Sequence, residues 1–238
     1  MKAGDIWAAN TKVKYQGASL DGIAAMGVNV FRGSMVDATA SEHRLGCEAA
    51  GIPPWPYCVL NYSQPPAFQA PRMLGLCDPF ELIPAADLEF VDVWGRPTDD
   101  PKDRYEWRGK LLAWLLRFYE AFDAEYDGDS LLYLNLDMIK LLRPIPEILT
   151  RRLLWLACTL TNPAPALFAP WKEITIQQYA LDVVAPWSNG VVDLNRVNVP
   201  LERLYKKHTY HQYLPIVTNG ARVGDGASAQ GDFTHPLK

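Results

Sequence analysis

Short apolar runs alternate with helical stretches along the first sixty residues of the chain. The pattern predicts strands at 5–8, 28–32 and 55–60, with helices at 20–26 and 38–50 between them. Gly27 and Gly51 follow the two predicted helices, where glycine commonly ends a helix. This alternation of strand and helix favours a parallel sheet with helices on its outside.

The rest of the chain continues the pattern with less regularity. Residues 63–79 are rich in proline, which predicts a loop with at most one helical turn, and the apolar run at 82–90 predicts a buried parallel strand. A long helix is predicted to begin near Asp100 and to end at Gly128. Its apolar face has spacings of three and four residues and comprises Trp107, Leu111, Trp114, Leu115, Phe118, Phe122 and Tyr126.

The last third of the chain completes a single predicted domain. Strands are expected at 130–136, 153–158, 174–180 and 190–194, with short helices at 137–142 and 200–207. Few residues after position 214 are suited to burial, so 217–238 is predicted to be an extended tail that orders only against a partner surface. We therefore expect an α/β fold, an irregular barrel over 1–207, followed by an extension at 208–238.

Composition narrows the function classes. The chain has 238 residues, which suits one β/α barrel, and a net charge of −4, which argues against a nucleic-acid partner. Neither a signal peptide nor an apolar run long enough for membrane insertion is visible, so synthesis in a cytoplasm without export is expected. The four cysteines form no CxxC pair and no phosphate-binding loop is present, so neither a metal nor another cofactor is predicted.

Two carboxylates on the predicted strand at 82–90 are the first residues that indicate a catalytic function. Asp87 and Glu89 alternate along the chain, so both side chains point to one face. Burying two like charges together is costly, and the pair favours a raised pKa on one member, as a general acid requires. The alternative is a structural role, in which both accept hydrogen bonds from loop amides or pair with Arg32 or Arg96.

Two further aspartates fit the same place. Asp5 lies in the first predicted strand and Asp193 in the last, and these strands are neighbours in a closed barrel. Carboxylates around one mouth are typical of glycoside hydrolysis. Aromatic residues near the strand ends offer stacking surfaces for sugar rings, although ordinary core packing explains each one singly. They are Tyr57, Tyr133, Trp155 and Tyr179.

Seven short motifs occur in an order that resembles a known family. They are Gly4-Asp5-Ile6-Trp7, Ala50-Gly51-Ile52-Pro53, Ala86-Asp87-Leu88-Glu89, Leu132-Tyr133-Leu134-Asn135, Leu154-Trp155-Leu156-Ala157, Ile176-Gln177-Gln178-Tyr179 and Val192-Asp193-Leu194-Asn195. In order and spacing, over residues 4–207, the chain resembles the family 25 glycoside hydrolases, the lysozymes common among phage endolysins. The chain departs from the family pattern at four places. The serine that follows the first aspartate is missing, since Ile6-Trp7-Ala8 follows Asp5, and Cys58 stands in place of a histidine, Thr159 of a tyrosine and Gln177 of a tryptophan.

The resemblance implies a flattened, TIM-like barrel that hydrolyses peptidoglycan between N-acetylmuramic acid and N-acetylglucosamine. Glu89 would be the general acid, Asp87 would orient the acetamido group or stabilise positive charge, and Asp5 and Asp193 would complete the electrostatics. Tyr57, Tyr133, Trp155, Gln178 and Tyr179 would bind substrate. The enzyme would act at the bacterial cell wall, released by lysis machinery or carried in a virion.

Two alternatives remain open from the sequence. One is a lysozyme-like structural or glycan-binding component of a phage particle, whose C-terminal tail would contact a virion protein. The other is a glycosidase of a different substrate class on a similar barrel, because a fold does not fix a function.

Overall fold

The computed structural model describes residues 1–32, 35–89 and 100–207. The strands in these ranges are β1 (Lys2–Ile6), β2 (Ala25–Arg32), β3 (Met35–Val36), β4 (Pro54–Val59), β5 (Ala85–Asp87), β6 (Leu131–Asn135), β7 (Leu153–Ala157), β8 (Ile176–Val184) and β9 (Val191–Val197). The helices are α1 (Tyr15–Leu20), α2 (Ala40–Ala49), α3 (Pro66–Cys77), α4 (Pro101–Glu125), α5 (Leu136–Leu142), α6 (Glu147–Thr150) and α7 (Pro165–Phe168), with a 3₁₀ helix at Leu201–Leu204. The predicted extension at 208–238 lies outside the described residues, as does Arg96.

Eight strands close into a barrel, which confirms the predicted α/β barrel fold. The order around the ring is β1-β9-β8-β7-β6-β5-β4-β2, and pairing of β1 with β2 closes it. The short β3 pairs only with β2, outside the ring. Neighbouring strands are parallel except at β9, which runs antiparallel to both β8 and β1. The barrel is therefore mixed, and the expectation of a wholly parallel sheet is wrong at this one strand.

Alternation along the strands separates two apolar cores. Residues facing outward pack under the helices, whereas residues facing inward fill the barrel. The inward residues are small or aliphatic at the amino ends of the parallel strands, as Ala3, Ala25, Ala85, Leu131 and Ile176 show. The barrel interior is thus dry at one end and, as described below, polar at the other.

A glycine lets two inward side chains meet near the middle of the barrel. A Cβ on Gly27 would lie 2.8 Å from the Cβ of Asp5 and 2.9 Å from the indole of Trp55. Both distances are too short for real atoms, so only glycine fits between these strands. Gly27 is therefore a packing residue of β2, and the predicted role as a helix end is wrong.

The helix predicted at 20–26 does not form. The chain is helical earlier, at Tyr15–Leu20, and residues 25 and 26 already belong to β2. β2 lies between β1 and β4 and hydrogen-bonds to both, so tertiary pairing overrides the helical preference of Ala25 and Met26.

The proline-rich segment at 63–79 contains a full helix, contrary to the predicted loop. Helix α3 spans twelve residues, with Pro66 in its first turn and Pro71 in its interior. Proline suits the first helical turn, because the N–H group missing there has no partner in the helix. One face of α3 buries Ala70, Met73 and Leu74 and packs against α4, which stabilises the helix despite Pro71.

The long amphipathic helix agrees with the sequence pattern. α4 begins at Pro101, and the Asp100 carboxylate accepts a hydrogen bond from the Lys102 N–H at 2.8 Å as an N-cap. Its buried face contains the predicted apolar residues Trp107 through Phe122. The helix ends at Glu125, three residues before the expected glycine.

The last described residues close the dry end of the barrel. Leu204 is fully buried in the inner core, and its carbonyl accepts a hydrogen bond from the Ile83 N–H at 2.8 Å. Leu82 forms a bridge with Tyr205, and the Lys206 N–H donates to the Glu81 carbonyl at 2.9 Å. Residues 201–207 therefore act as a plug across the amino ends of the strands.

All four cysteines are buried and free, as the sequence predicted. Within residues 1–32, 35–89 and 100–207, no helix combines the length and the hydropathy that a bilayer crossing requires.

Candidate active site

The carboxyl ends of the parallel strands surround a pocket of about 180 Å³. All four carboxylates that the sequence singled out line it: Asp5 from β1, Asp87 from β5, Glu89 two residues beyond β5, and Asp193 from β9. The other lining residues are Trp7, Asn29, Arg32, Tyr57, Val59, Tyr133, Trp155, Gln178, Asp182, Val191 and Val192.

Asp193 reaches the pocket by a different route from the one expected. The sequence placed it near the carboxyl end of the last strand, but β9 extends to Val197, so Asp193 is only its third residue. Because β9 is antiparallel to its neighbours, its amino end lies beside their carboxyl ends. Asp193 therefore lies directly opposite Asp5 in the register of β1 and β9.

A chain of hydrogen bonds holds the Asp5 carboxylate. Asn195 Nδ2 donates to Asp5 Oδ2 at 2.7 Å, and Gln178 Nε2 donates to the same oxygen at 3.3 Å. The Trp155 indole N–H donates to Asn195 Oδ1 at 2.8 Å, and the Tyr133 hydroxyl donates to Gln178 Oε1 at 2.8 Å. These two donors occupy the amide oxygens, which leaves both NH₂ groups facing the carboxylate.

The same glutamine joins the two aspartates. Gln178 Nε2 also donates to Asp193 Oδ2 at 3.1 Å, and the Asp182 backbone N–H donates to Asp193 Oδ1 at 2.8 Å. Asp182 has a φ of 52°, a left-handed conformation that is uncommon for a residue other than glycine. It lies where the pairing of β8 with β9 is irregular, so this bulge aims an N–H group at the site.

Burial sets the protonation of Asp5. Burial and the charge of the neighbouring Asp193 together raise the pKa of Asp5 to about 8. The hydrogen bonds from Asn195 and Gln178 act in the opposite direction. Burial also raises the pKa of Asp193, against the lowering effect of the Asp182 N–H. At neutral pH this side of the pocket therefore holds a proton that an exposed carboxyl would have released.

Asp87 and Glu89 form the second acidic pair. Burial raises the pKa of both carboxyls, and for Asp87 the charge of Glu89 adds to the effect, while Arg32 lowers both pKa values. Glu89 is the less buried of the two. Asp87 Oδ1 is buried in the pocket wall without a hydrogen-bond partner in the described part of the chain. The pair thus combines two carboxyls with raised pKa values and an unpaired acceptor atom on Asp87.

The predicted aromatic residues divide into two groups. Tyr57, Tyr133 and Trp155 line the pocket and meet edge to face, with ring centroids 5.7 Å and 5.0 Å from that of Trp155. All three are at most 7% exposed, so they form the floor of the pocket. Tyr179 points to the outside of the barrel, where the Arg196 guanidinium lies 5.5 Å from its ring centroid. The structure therefore does not bring Tyr179 to the pocket with the other predicted substrate-binding residues.

Seven lining residues were not among the site residues that the sequence predicted: Trp7, Asn29, Arg32, Val59, Asp182, Val191 and Val192. Trp7 follows β1 in a turn, whereas the sequence placed it inside a strand; its two-residue spacing from Asp5 already indicated a shared face. Asn29 is a polar residue between Val28 and Val30, a pattern that also marks an inward position. Asp182 gave no such signal, because its place depends on the bulge in β8.

The positions that depart from the family pattern, apart from Trp7, lie away from the pocket. Cys58 points into the core beneath the helices, and Gln177 Nε2 donates to the carbonyls of Cys158 at 2.8 Å and Leu160 at 2.7 Å. Thr159 is exposed beyond β7 and does not line the pocket. Across the described ranges, no group of three or more His, Cys, Asp or Glu residues is placed to hold a metal ion.

Solved structures share this α/β barrel fold. The chain superposes on the bacterial lysozyme from Streptomyces coelicolor with a TM-score of 0.71 at 16% identity, covering 86% of this chain and 94% of that one. A family GH25 lysozyme from Aspergillus fumigatus gives 0.68 at 19% identity, with 85% and 96% covered. The catalytic domain of endolysin ply40 from bacteriophage P40 of Listeria monocytogenes gives 0.63 at 16% identity, with 86% and 95% covered.

The fold is thus that of the GH25 lysozymes. No family model matches the sequence, and no curated protein matches it either. The likeness to these lysozymes is therefore detected by comparing structures and not by comparing whole sequences.

Proposed function

We propose that the protein is a glycoside hydrolase of the muramidase type, which cleaves the β-1,4 bond between N-acetylmuramic acid and N-acetylglucosamine in peptidoglycan. The observation that carries the proposal is the convergence of Asp5, Asp87, Glu89 and Asp193 on one pocket. The fold supports it, because the matched structures are lysozymes and an endolysin domain.

Glu89 is the general acid in this proposal. Burial raises its pKa, so the carboxyl is protonated where an exposed glutamate would be ionised. Its position beyond β5, at the less buried edge of the pocket, gives a bound glycan access to the proton. Glu89 donates that proton to the glycosidic oxygen as the bond from this oxygen to the anomeric carbon breaks, and water then adds to the anomeric carbon and returns a proton to Glu89.

Asp87 acts on the sugar whose glycosidic bond breaks. The residue lines the pocket, and its buried Oδ1 atom lacks a hydrogen-bond partner in the described structure. An acetamido N–H of the substrate supplies the partner that this acceptor needs. Asp87 thereby orients the acetamido group, and its ionised form stabilises the positive charge that develops on the sugar.

Asp5 and Asp193 contribute to the electrostatic potential around Asp87 and Glu89. Their shared donor Gln178 fixes both carboxyl groups relative to Tyr133 at the pocket floor. The chemistry of paired carboxyls supplies both acid and base from the protein, so we expect the reaction to require no cofactor. The place of action is the bacterial cell wall, where the glycan strands occur.

Release of reducing ends from purified peptidoglycan, with product masses, tests the proposal. The wild type should release fragments with reducing N-acetylmuramic acid, and Glu89→Gln should lower the rate by about 10³-fold or more, because an amide cannot donate the proton. Glu120→Gln, on the exposed face of α4, is the matched control and should retain full activity. Equal activity of Glu89→Gln and wild type would exclude Glu89 as the acid.

Thermal unfolding of the same variants separates a catalytic from a structural role. Glu89→Gln should melt at or above the wild-type temperature, because a buried carboxyl kept for chemistry commonly costs stability. A variant that unfolds would show that Glu89 is a structural residue.

A lysozyme-like structural or glycan-binding component of a phage particle is the second candidate. The altered aromatic positions Thr159 and Gln177 and the predicted extended tail favour it, but these two residues lie away from the pocket. A folded wild-type protein that releases nothing from several wall types would favour this candidate, and a virion protein would then be sought as the partner of residues 208–238.

A further inference from the structure

Trp7 is an exposed indole at the rim of the acidic pocket. Its exposed fraction is 44%, whereas the other six tryptophans in the described ranges are at most 8% exposed. Single exposed apolar residues are common on protein surfaces, so exposure alone decides nothing. Here, however, the exposed ring lines the pocket that holds the four carboxylates.

The backbone of Trp7 is held in place by Asn10. The Trp7 N–H donates to Asn10 Oδ1 at 3.0 Å, and the Asn10 N–H donates back to the Trp7 carbonyl at 2.8 Å. Asn10 is fully buried, and its Nδ2 atom donates to the Val191 carbonyl at 2.9 Å and to Ser188 Oγ at 3.1 Å. The backbone that carries the indole is therefore held against the start of β9.

The indole and the acid pair stand on different parts of the rim. Trp7 follows β1 and Glu89 follows β5, and these strands are separated by β2 and β4 on the shorter path around the ring. Val191, which is 41% exposed and also lines the pocket, lies next to Trp7 on the other neighbour of β1. One section of the rim is thus apolar and faces an acidic interior.

A pyranose ring matches this surface. Such a ring has apolar C–H faces and polar edges, so one face packs on an aromatic ring while its edge groups reach acceptors beside it. The predicted stacking residues Tyr57, Tyr133 and Trp155 are too deeply buried to offer a ring face to substrate. Trp7 offers the ring surface that they do not.

We propose that Trp7 is the stacking platform for an N-acetylhexosamine ring of the glycan strand and determines how tightly this enzyme holds its substrate. The proposal rests on the proposed function, since it takes the peptidoglycan glycan as the ligand.

The first test measures binding without turnover. Glu89→Gln is titrated with a tetrasaccharide of alternating N-acetylglucosamine and N-acetylmuramic acid by calorimetry, alone and combined with Trp7→Ala or Trp7→Phe. Trp7→Ala should weaken binding about tenfold and Trp7→Phe by less than about threefold, because phenylalanine retains an aromatic face. Tyr105→Ala removes an exposed aromatic side chain from α4 and is the matched control, which should leave the Kd unchanged.

The second test measures turnover on the same tetrasaccharide. Trp7→Ala in the otherwise wild-type protein should raise KM about tenfold with kcat within about twofold, because the platform binds a sugar without touching the bond that breaks. Melting temperatures within a few degrees of wild type show that the variants fold.

The outcomes separate this proposal from the proposed function. An unchanged Kd and KM in Trp7→Ala, with wild-type activity intact, overturns the platform and leaves the muramidase proposal standing. If the wild type binds the tetrasaccharide without cleaving it, and Trp7→Ala loses that binding, the platform is supported and the muramidase proposal fails. Absence of binding by the folded Glu89→Gln protein overturns the platform.

Discussion

The two ends of the barrel are built from the same strands and differ in almost every physical respect. At the amino ends, the inward residues are aliphatic, and residues 201–207 cover them. At the carboxyl ends, the inward residues are acids and amides around a pocket of about 180 Å³. A step of two residues along one strand changes the environment, as Ala3 to Asp5 on β1 and Ala85 to Asp87 on β5 show.

The comparison shows how the molecule divides stability from chemistry. Burial of apolar side chains at the plugged end favours the folded state by about 25 cal/mol for each Å² removed from water. Burial of carboxyls at the open end raises their pKa values and opposes folding once they ionise. Apolar burial at the dry end therefore offsets the loss of folding free energy that the buried carboxyls cause at the open end.

Removing the plug should have the largest effect on stability. Truncation after Pro200 deletes Leu204 and leaves the buried Ile83 N–H without its acceptor. Removing a buried leucine side chain and one or two buried hydrogen bonds both destabilise the fold. Together they should decrease the free energy of unfolding by about 3–8 kcal/mol. Urea denaturation measures it, and a truncated chain as stable as wild type would show that the barrel does not need its plug.

A cavity at the dry end should have the next largest effect. Leu131 is fully buried in the inner core, so Leu131→Ala should destabilise the fold by about 2–5 kcal/mol. The matched comparison is Asp5→Asn at the polar end, which preserves shape and should not destabilise the protein at pH 7. If both variants lose the same stability, the proposed division between the two ends is wrong.

The pH dependence of stability tests the polar end by itself. Asp5 has a pKa of about 8 in the folded state against 3.8 as its ordinary value, so the folded state binds a proton that the unfolded chain has released between these limits. Its contribution to stability is fully present below about pH 4 and is lost as the pH rises towards 8, with a slope of at most about 1.4 kcal/mol per pH unit.

Melting temperatures measured from pH 4 to pH 8 check this trend. Asp5→Asn should flatten the decline, because asparagine does not titrate. Asp137→Asn, at an exposed position of α5, should leave the slope as in wild type. A wild-type protein that becomes more stable as the pH rises through this range contradicts the burial argument for Asp5.

Deletion of 208–238 should have the smallest effect. The plug ends at Lys207, so the truncated chain keeps every described contact, and we expect a change in the free energy of unfolding of less than about 0.5 kcal/mol. Chemical denaturation and peptidoglycan cleavage both measure the outcome. A large loss of stability would move the domain boundary beyond residue 207.

Much of the fold could be predicted because its elements have strong local signals. The apolar stripe of α4 and the strands at 55–60, 130–136 and 153–158 agree with the structure within a few residues. The wrong predictions concern segments whose secondary structure is determined by tertiary contacts. Ala25 and Met26 are helix formers held in a strand by two neighbours, and α3 tolerates Pro71 because its other face packs on α4.

The site was predictable to the extent that it follows from alternation. Asp87 and Glu89, or Asp5 and Trp7, share a face because strand side chains alternate, and the structure places all four at one pocket. Tyr179 follows the same rule and does not line the pocket, since its neighbour Gln178 takes the inward position. Trp155 is buried at the floor of the pocket and Trp7 is exposed at its rim. The depth of burial depends on the whole barrel, so the neighbouring sequence does not predict it.

The direct opposition of Asp5 and Asp193 limits how the chain can change in length. Strand side chains repeat every two residues, so a shift of β9 by one residue would turn Asp193 and Asn195 outward and bring their neighbours inward. A single-residue insertion or deletion that shifts Asn195 would thus remove its hydrogen bond to Asp5 while leaving the ladder and the hydrogen bond from Gln178 on β8 intact. Descendants of this sequence are therefore expected to vary in length within β9 only by two residues at a time.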